Sequence, residues 1–184
     1  APSMVPPPSA TTFSLRNELF PAPPHQESAY DDYQDQVLLP HKLSQEGPFM
    51  AVGDANGDGL EDVYLGGSAG FAGQLMLQTS KGFEAKSIPA FENDKAHEDQ
   101  QALWLDGDQD GDLDLYVVSG SYQFSEGDPL LQDRYYQNDG KGNFNRDVAA
   151  IPAMLTSGSC VASGDYDNDG DLDLFVGGRL VAKK

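Results

Sequence analysis

The feature that most constrains this sequence is an acidic nine-residue segment that occurs three times. Its pattern is D-x-[DN]-x-D-G-x-x-D, and its first aspartates, Asp54, Asp106 and Asp165, are 52 and then 59 residues apart. Self-similarity at a period of this length is typical of tandem repeats, in which each unit contacts its neighbours. The chain is therefore expected to be a short array of similar units.

A second similarity follows the first two acidic segments. Residues 74–78 lead into a turn with Gly82, and residues 134–138 lead into a turn with Gly142. Each repeat then has four short strands: one entering the acidic segment, one leaving it, and a hairpin behind. Four strands in about 40–50 residues are typical of a propeller blade. We therefore predict an all-β fold of tandem four-stranded β-propeller-type blades, incomplete at about three repeats.

The repeats are predicted at residues 49–100, 101–157 and 158–184, the third being truncated. Residues 1–20 are a Pro/Ser/Thr-rich segment, extended at its start, and residues 21–48 are a connector with a candidate strand at 36–39. Residues 13–20 resemble the hairpin at 134–144, so they are a candidate donor strand that completes the third repeat of a neighbouring copy. The alternative is that the chain is an excerpt of a longer one and the missing strand lies outside it.

The charge distribution indicates cations. The chain has 30 acidic and 11 basic residues, a formal charge of −19, and 14 of the acids fall within the three acidic segments. Clustered carboxylates repel one another unless positive charge lies among them. The same charge argues against nucleic acid and anionic membrane surfaces as partners, because both would repel the chain.

The spacing of the oxygen-bearing residues predicts calcium. Carboxylate and amide oxygens at positions 1, 3 and 5 suit a hard cation, and glycine at position 6 permits the sharp turn that brings them together. A main-chain carbonyl at position 7 and a carboxylate at position 9 would extend the coordination. Three calcium ions are predicted, with these ligands: Asp54, Asn56, Asp58, Leu60 and Asp62; Asp106, Asp108, Asp110, Asp112 and Asp114; Asp165, Asp167, Asp169, Asp171 and Asp173.

Other metal sites fit less well. An EF-hand loop carries Glu at position 12 and leads into a helix, whereas here that position is Leu65, Val117 or Val176 within strand-like residues. Magnesium rarely takes an all-protein cage, and zinc is poorly served by one cysteine and three scattered histidines. No motif of a nucleophilic, metalloprotease or nucleotide-binding site occurs, so no enzyme is predicted.

Two smaller features carry expectations of their own. Cys160, the only cysteine, lies in an apolar alternation and is expected to be a buried small hydrophobe. The triplet His97-Glu98-Asp99 is expected to be a polar approach to a strand rather than a site.

The acidic segments, with Gly66-Gly67 and Gly177-Gly178 after the exit strands, resemble FG-GAP/VCBS repeats of integrin-α-type propellers and bacterial surface proteins. Residues 39–67 also resemble large bacterial VCBS proteins related to the ASPIC/UnbV group. This resemblance implies calcium-stabilised blades on secreted, extracellular or cell-surface proteins that serve adhesion, scaffolding or attachment. The chain departs from the family in having only three such loops.

The predicted function is a secreted calcium-binding structural or adhesive module. Its predicted partner is a second copy, joined head to tail into a filament through residues 1–20 and 161–184. One alternative is a ligand-recognition propeller in which residues 121–124 grip a glycan or an extracellular protein. The other is an accessory domain of a larger extracellular enzyme.

Overall fold

The computed structural model describes residues 16–181, which form three antiparallel sheets in chain order. The first sheet contains β1 (Met50–Gly53), β2 (Asp62–Leu65), β3 (Gln74–Thr79) and β4 (Gly82–Lys86), paired in that order. The second repeats this order with β5 (Asp99–Leu105), β6 (Asp114–Ser119), β7 (Arg134–Gln137) and β8 (Asn145–Arg146). The third is a pair, β9 (Gly158–Gly164) and β10 (Asp173–Gly178). The predicted all-β fold of tandem four-stranded blades is confirmed, and the array is open rather than closed.

Helical structure is short in the described part of the chain. It consists of α1 (Pro89–Asn93) and three 3-10 turns at Asn17–Leu19, Asp32–Gln34 and Pro129–Leu131. No helix within residues 16–181 is long and apolar enough to cross a membrane.

One predicted strand requires correction, and a second lies partly outside the described residues. The strand expected at 36–39 is a turn, in which Leu39 N donates to Gln36 O at 3.3 Å, and Leu38 projects into solvent. Of the candidate donor strand at 13–20, residues 13–15 lie outside the described residues, and Asn17–Leu19 form a 3-10 turn. That turn lies against β4, with the rings of Phe20 and Phe83 4.9 Å apart. Residues 36–39 have no strand partner among the described residues, and both Val37 and Leu38 are exposed.

The first two sheets share one strand register. Tyr64 of β2 is opposite Leu75 of β3, and Tyr116 of β6 is opposite Tyr135 of β7. Phe91 of α1 packs between the two sheets, with its ring 5.3 Å from that of Tyr64. A single core cluster therefore joins the two blades; its buried members are Ala51, Ala55, Tyr64, Leu75, Ile88, Phe91, Ala102, Leu115, Val117, Tyr136 and Phe144.

The third sheet is packed on one side only. A smaller cluster with Tyr116 and Val161 joins it to the second sheet. Phe175 of β10 is 71% exposed, whereas the equivalent Tyr64 and Tyr116 are each 1% exposed. Within the described residues no strand pairs with the outer edge of β10, so this side chain has no cover. Cys160 is also exposed, contrary to prediction, because its face of β9 is uncovered.

The connector crosses all three repeats before entering β1. Gln26 O accepts a hydrogen bond from Ser68 Oγ at 2.5 Å beside the first sheet. Glu46 forms an ion pair with Arg179 beyond β10. Within the connector, the buried carboxylate of Asp32 accepts hydrogen bonds from the backbone N–H groups of residues 43 and 44. The connector therefore contacts the first and third repeats here, and it also contacts the second repeat through a hydrogen bond between Gln36 and Tyr122.

Candidate metal centres

Each acidic loop joins the first two strands of its repeat. The strands end together, since Gly53 is opposite Asp62, Leu105 is opposite Asp114, and Gly164 is opposite Asp173. The residue before position 1 is thus paired with the residue at position 9 in all three loops. This closure folds the nine residues into a compact turn at one end of each blade.

The loops share a backbone that reverses twice through the left-handed region. At position 6, Gly59, Gly111 and Gly170 have φ of 83°, 94° and 98°. At position 4, Gln109 and Asn168 have φ of 62° and 63°, in the region that non-glycine residues seldom adopt. These two reversals fold each loop back on itself, and in loops 2 and 3 the carboxylates of positions 1 and 3 lie close together.

The structure brings together part of each predicted ligand set. In loop 2, carboxylate oxygens of Asp106, Asp108 and Asp110 all lie within 4.8 Å of one another. In loop 3, the corresponding group of oxygens comes from Asp165, Asp167 and Asp173. Three converging carboxylates are a suitable donor set for a hard cation.

Loop 1 uses its acids partly as acceptors for its own backbone. Asp54 accepts hydrogen bonds from Gly57 N and Gly59 N, both at 2.8 Å, and Asn56 Nδ2 donates to Asp58 Oδ2 at 3.1 Å. The side chains of positions 3 and 5 are therefore in contact here, with an amide at position 3 in place of a carboxylate.

Position 7 is held in the same way in all three loops. The N–H groups of Leu60, Asp112 and Asp171 donate to the carboxylate at position 5, at 2.9, 3.1 and 3.1 Å. The ligand role of their carbonyls stays a prediction.

In the two complete blades, the position 9 aspartates are buried and accept backbone hydrogen bonds. Asp62 is buried and accepts hydrogen bonds from Ala55 N at 3.0 Å and Gln78 N at 2.7 Å. Asp114 is likewise buried and accepts from Gly107 N and Asn138 N. Each carboxylate thereby links its loop to the end of the third strand. Asp173 accepts from Tyr166 N at 2.8 Å but is exposed, because no third strand covers it among the described residues.

The electrostatics of loop 2 fit a cation. Asp106 Oδ1 and Asp112 Oδ1 are buried and have no hydrogen-bond partner. Burial, together with the charges of neighbouring aspartates, raises the pKa of Asp112 to about 6. An unpaired buried carboxylate oxygen is unfavourable unless it is neutralised or coordinates a metal. The residues present therefore fit the predicted metal.

The sequence analysis missed a buried polar network at the end of β5 that is farthest from loop 2. His97 and Glu98 approach β5 as predicted, but Asp99, at its start, pairs with Arg134 of β7. Burial raises the pKa of Glu98 to about 8. The polar triplet at 97–99 was the available signal in the sequence. Its partners lie 29 to 35 residues away in the chain and carried no local signal.

The segment 121–124, considered for ligand recognition, is not a free surface loop. Ser121 and Tyr122 are buried, and Tyr122 donates from its hydroxyl to Gln36 Oε1 of the connector at 2.8 Å. Ser121 and Tyr122 therefore anchor the connector, and a ligand-recognition role for the segment stays a prediction.

Comparison with known proteins supports the repeat assignment. Residues 106–176, which include loops 2 and 3, match the family model of the FG-GAP-like repeat. No curated protein matches the chain. The closer resemblance to ASPIC/UnbV-related proteins stays a prediction. The chain therefore contains an FG-GAP-like repeat over residues 106–176.

Proposed function

We propose that this chain is a calcium-binding structural module in which one ion stabilises each acidic loop. The observation that supports this most directly is in loop 2, where carboxylate oxygens of three aspartates converge and the first of them, Asp106, has a buried Oδ1 with no hydrogen-bond partner. A divalent cation would neutralise that cluster and make its compact form favourable. Calcium is the preferred ion because it accepts six to eight oxygen ligands in flexible geometry.

The ions would hold the loops without taking part in any reaction. FG-GAP-like repeats are typically structural or recognition modules. We propose that the present chain is not an enzyme. Its convergent carboxylates would be occupied by metal, and the fixed loops would keep neighbouring blades stacked at their loop ends. Binding and folding of each loop are then coupled.

An extracellular setting fits this role. FG-GAP-like repeats are usually extracellular, and extracellular calcium sites often have dissociation constants of about 10⁻⁴–10⁻³ M. Small loops with three or four predicted side-chain carboxylate ligands at positions 1, 3, 5 and 9 match such weak sites. We propose a secreted or cell-surface protein of scaffolding or adhesive type.

Isothermal titration calorimetry on the full chain tests the proposal. We expect three calcium ions per chain and no comparable heat with magnesium. Asp58→Asn removes a predicted ligand from loop 1 and should reduce the count to two. Glu61→Gln removes the same charge from the same loop at an exposed position that is not a predicted ligand, and should leave it at three. Absence of saturable calcium binding to the unmodified chain would contradict the proposal.

We also propose that β10 is the acceptor edge for assembly with a second copy. Its outer edge is unpaired within residues 158–181, and Phe175 is exposed where complete blades bury an aromatic ring. Such edges pair with added strands. The proposed occupant is the segment 13–20 of the second copy, and donation requires the turn at Asn17–Leu19 to leave β4.

Sedimentation of the full chain and of a variant lacking residues 1–20 tests this assembly. We expect the full chain to form concentration-dependent oligomers with calcium and the shortened chain to stay monomeric. A monomeric full chain at high concentration, or an oligomeric shortened chain, would show that this segment is not the donor.

A further inference from the structure

Asn138, which follows β7, joins the first two acidic loops directly. Its side-chain Nδ2 donates to Ala55 O, at position 2 of loop 1, at 2.8 Å. The same nitrogen donates to Leu113 O, at position 8 of loop 2, at 2.9 Å. One amide group therefore uses both of its hydrogens on the backbones of two different candidate metal loops.

The remaining polar groups of Asn138 are also engaged. Its backbone N–H donates to Asp114 Oδ1 at 2.8 Å, and its Oδ1 accepts from Asp139 N at 2.9 Å and Gly142 N at 3.1 Å. The residue is only 6% exposed. A rotation of the amide would leave buried polar groups unpaired, which is unfavourable. The side chain is therefore fixed relative to loop 2 while it holds loop 1.

The turn after Asn138 packs closely on loop 1. A Cβ built on Gly57 would lie 3.5 Å from Gly140 O, and one built on Gly142 would lie 3.5 Å from Ala55 O. Lys86 of β4 donates from Nζ to Lys141 O at 2.7 Å. The contact between Asn138 and loop 1 is thus supported by a second set of contacts, which also depend on the conformation of loop 1.

We propose that Asn138 couples the two loops, so that loops 1 and 2 bind calcium cooperatively. This inference rests on the proposed calcium-binding function. Without an ion, repulsion among the carboxylates favours a relaxed loop; with one, the compact loop is favoured. Ordering one loop places Asn138 and its turn in the position that the other loop requires, so the second loop is ordered at a lower entropic cost.

Loop 3 is expected to bind independently. Asn138 stands in repeat 2 where Gln78 stands in repeat 1, and no equivalent residue occurs in the described part of repeat 3. Asp173, which corresponds to Asp114, is exposed and receives no hydrogen bond from a third strand within residues 158–181. The coupled pair is therefore confined to loops 1 and 2.

The chain carries its own reporter for this pair. Trp104, the only tryptophan, precedes loop 2 by two residues and packs on the residue before loop 1. A Cβ built on Gly53 would lie 2.8 Å from its Cδ1 atom. Its fluorescence should therefore change when either loop is ordered.

The experiment measures calcium affinity at loop 2 in a background with loop 3 silenced by Asp165→Ala, which removes the predicted ligand at position 1. Calorimetry and Trp104 emission are followed together. Silencing loop 1 with Asp58→Asn should weaken binding at loop 2 by about 5-fold or more, although Asp58 lies outside loop 2. Glu61→Gln controls for the loss of charge and should leave loop 2 unchanged.

The bridge itself is tested with Asn138→Ala and Asn138→Asp. Asn138→Asp keeps the acceptor for Gly142 N but removes both donor hydrogens, so it covers the case in which Asn138→Ala does not fold. In either variant, Asp58→Asn should no longer affect loop 2. Gln78→Ala is the matched control at the same position of repeat 1 and should preserve the coupling.

The outcomes separate the two proposals. Saturable calcium binding in which Asp58→Asn leaves loop 2 unchanged would overturn the coupling and leave the calcium function standing. Equal coupling in the presence and absence of the Asn138 amide would overturn the role of this residue. Absence of saturable calcium binding in the unmodified chain would overturn the proposed function itself.

Discussion

Arg134 of β7 and Asp99 of β5 form an ion pair with both side chains almost wholly excluded from solvent. Asp99 Oδ2 also accepts hydrogen bonds from Tyr64 OH at 2.7 Å and Gly67 N at 2.8 Å. The carboxylate therefore receives donors from both complete blades. Because Asp99 is also paired with Arg134, this carboxylate fixes the first blade to the second through a polar contact beside their shared apolar core.

Removing one partner of this pair is predicted to be strongly destabilising. Arg134→Met leaves the Asp99 carboxylate buried without its counter-charge and should lower the free energy of unfolding by about 3–5 kcal/mol. The double variant Arg134→Met, Asp99→Asn should be less destabilised than Arg134→Met alone. Urea denaturation of the unmodified chain, of each single variant and of the double variant measures this, and additive losses would show that the pair is not coupled.

Glu98 is predicted to make stability fall as pH rises. It lies between Ala69 N, which donates to Oε2 at 2.8 Å, and the charges of Glu27 and Asp99. Burial first, then those charges, raise its pKa from 4.5 to about 8. Above pH 4.5 the unfolded chain releases this proton while the folded chain keeps it, so stability declines from about pH 4.5 to pH 8 and then levels off.

Glu98→Gln should remove this component. The amide oxygen can still accept from Ala69 N, and no proton is lost on unfolding. Between pH 5 and pH 8 the stability of the variant relative to the unmodified chain should rise by at least about 1 kcal/mol. Urea midpoints at pH 5, 6, 7 and 8 measure the difference, and parallel curves for the two proteins would contradict it.

Calcium removal is predicted to lower thermal stability in proportion to the number of ions lost. For a site with a dissociation constant of about 0.1 mM, 1 mM calcium contributes about 1.4 kcal/mol to the folded state. A melting curve in excess chelator should therefore shift downwards, and added calcium but not magnesium should restore it. A melting temperature that does not respond to chelator would mean that the loops are stable without an ion.

The strands and loops were predictable because their signals are local. The acidic pattern places Asp106 and Asp114 at the two ends of the loop that joins β5 to β6. The exit strands β2, β6 and β10 are predicted by the apolar residues that follow each acidic loop. Contacts between distant segments could not be predicted. In the sequence, Arg134 and Asn138 look like ordinary residues of a hairpin. The pairing of β5, β6 and β7 in one sheet brings Arg134 to Asp99, and the stacking of the first two blades brings Asn138 to Ala55.

Burial at the open side was also not predictable from the sequence. Cys160 lies among apolar residues, yet it is exposed, because burial depends on a covering strand and not on neighbours in the chain. Leu38 likewise belongs to an apolar run that forms a turn without a partner. In both cases the sequence is apolar as expected, but whether these residues are buried depends on segments that are distant in the chain.

Phe175 and Tyr116 occupy equivalent positions, and their truncation is predicted to have very different effects. Tyr116→Ala removes a fully buried ring whose hydroxyl donates to Asp133 Oδ2 at 2.8 Å, and should cost about 3–5 kcal/mol. Phe175→Ala removes a ring that is 71% exposed and should cost less than about 1 kcal/mol in dilute solution. Urea denaturation at micromolar concentration compares them.

If Phe175 becomes covered by a second copy, its truncation should instead reduce oligomer formation at high concentration, which sedimentation measures. A large loss in the dilute monomer would contradict the open edge of β10, and unchanged oligomers would exclude this ring from the contact.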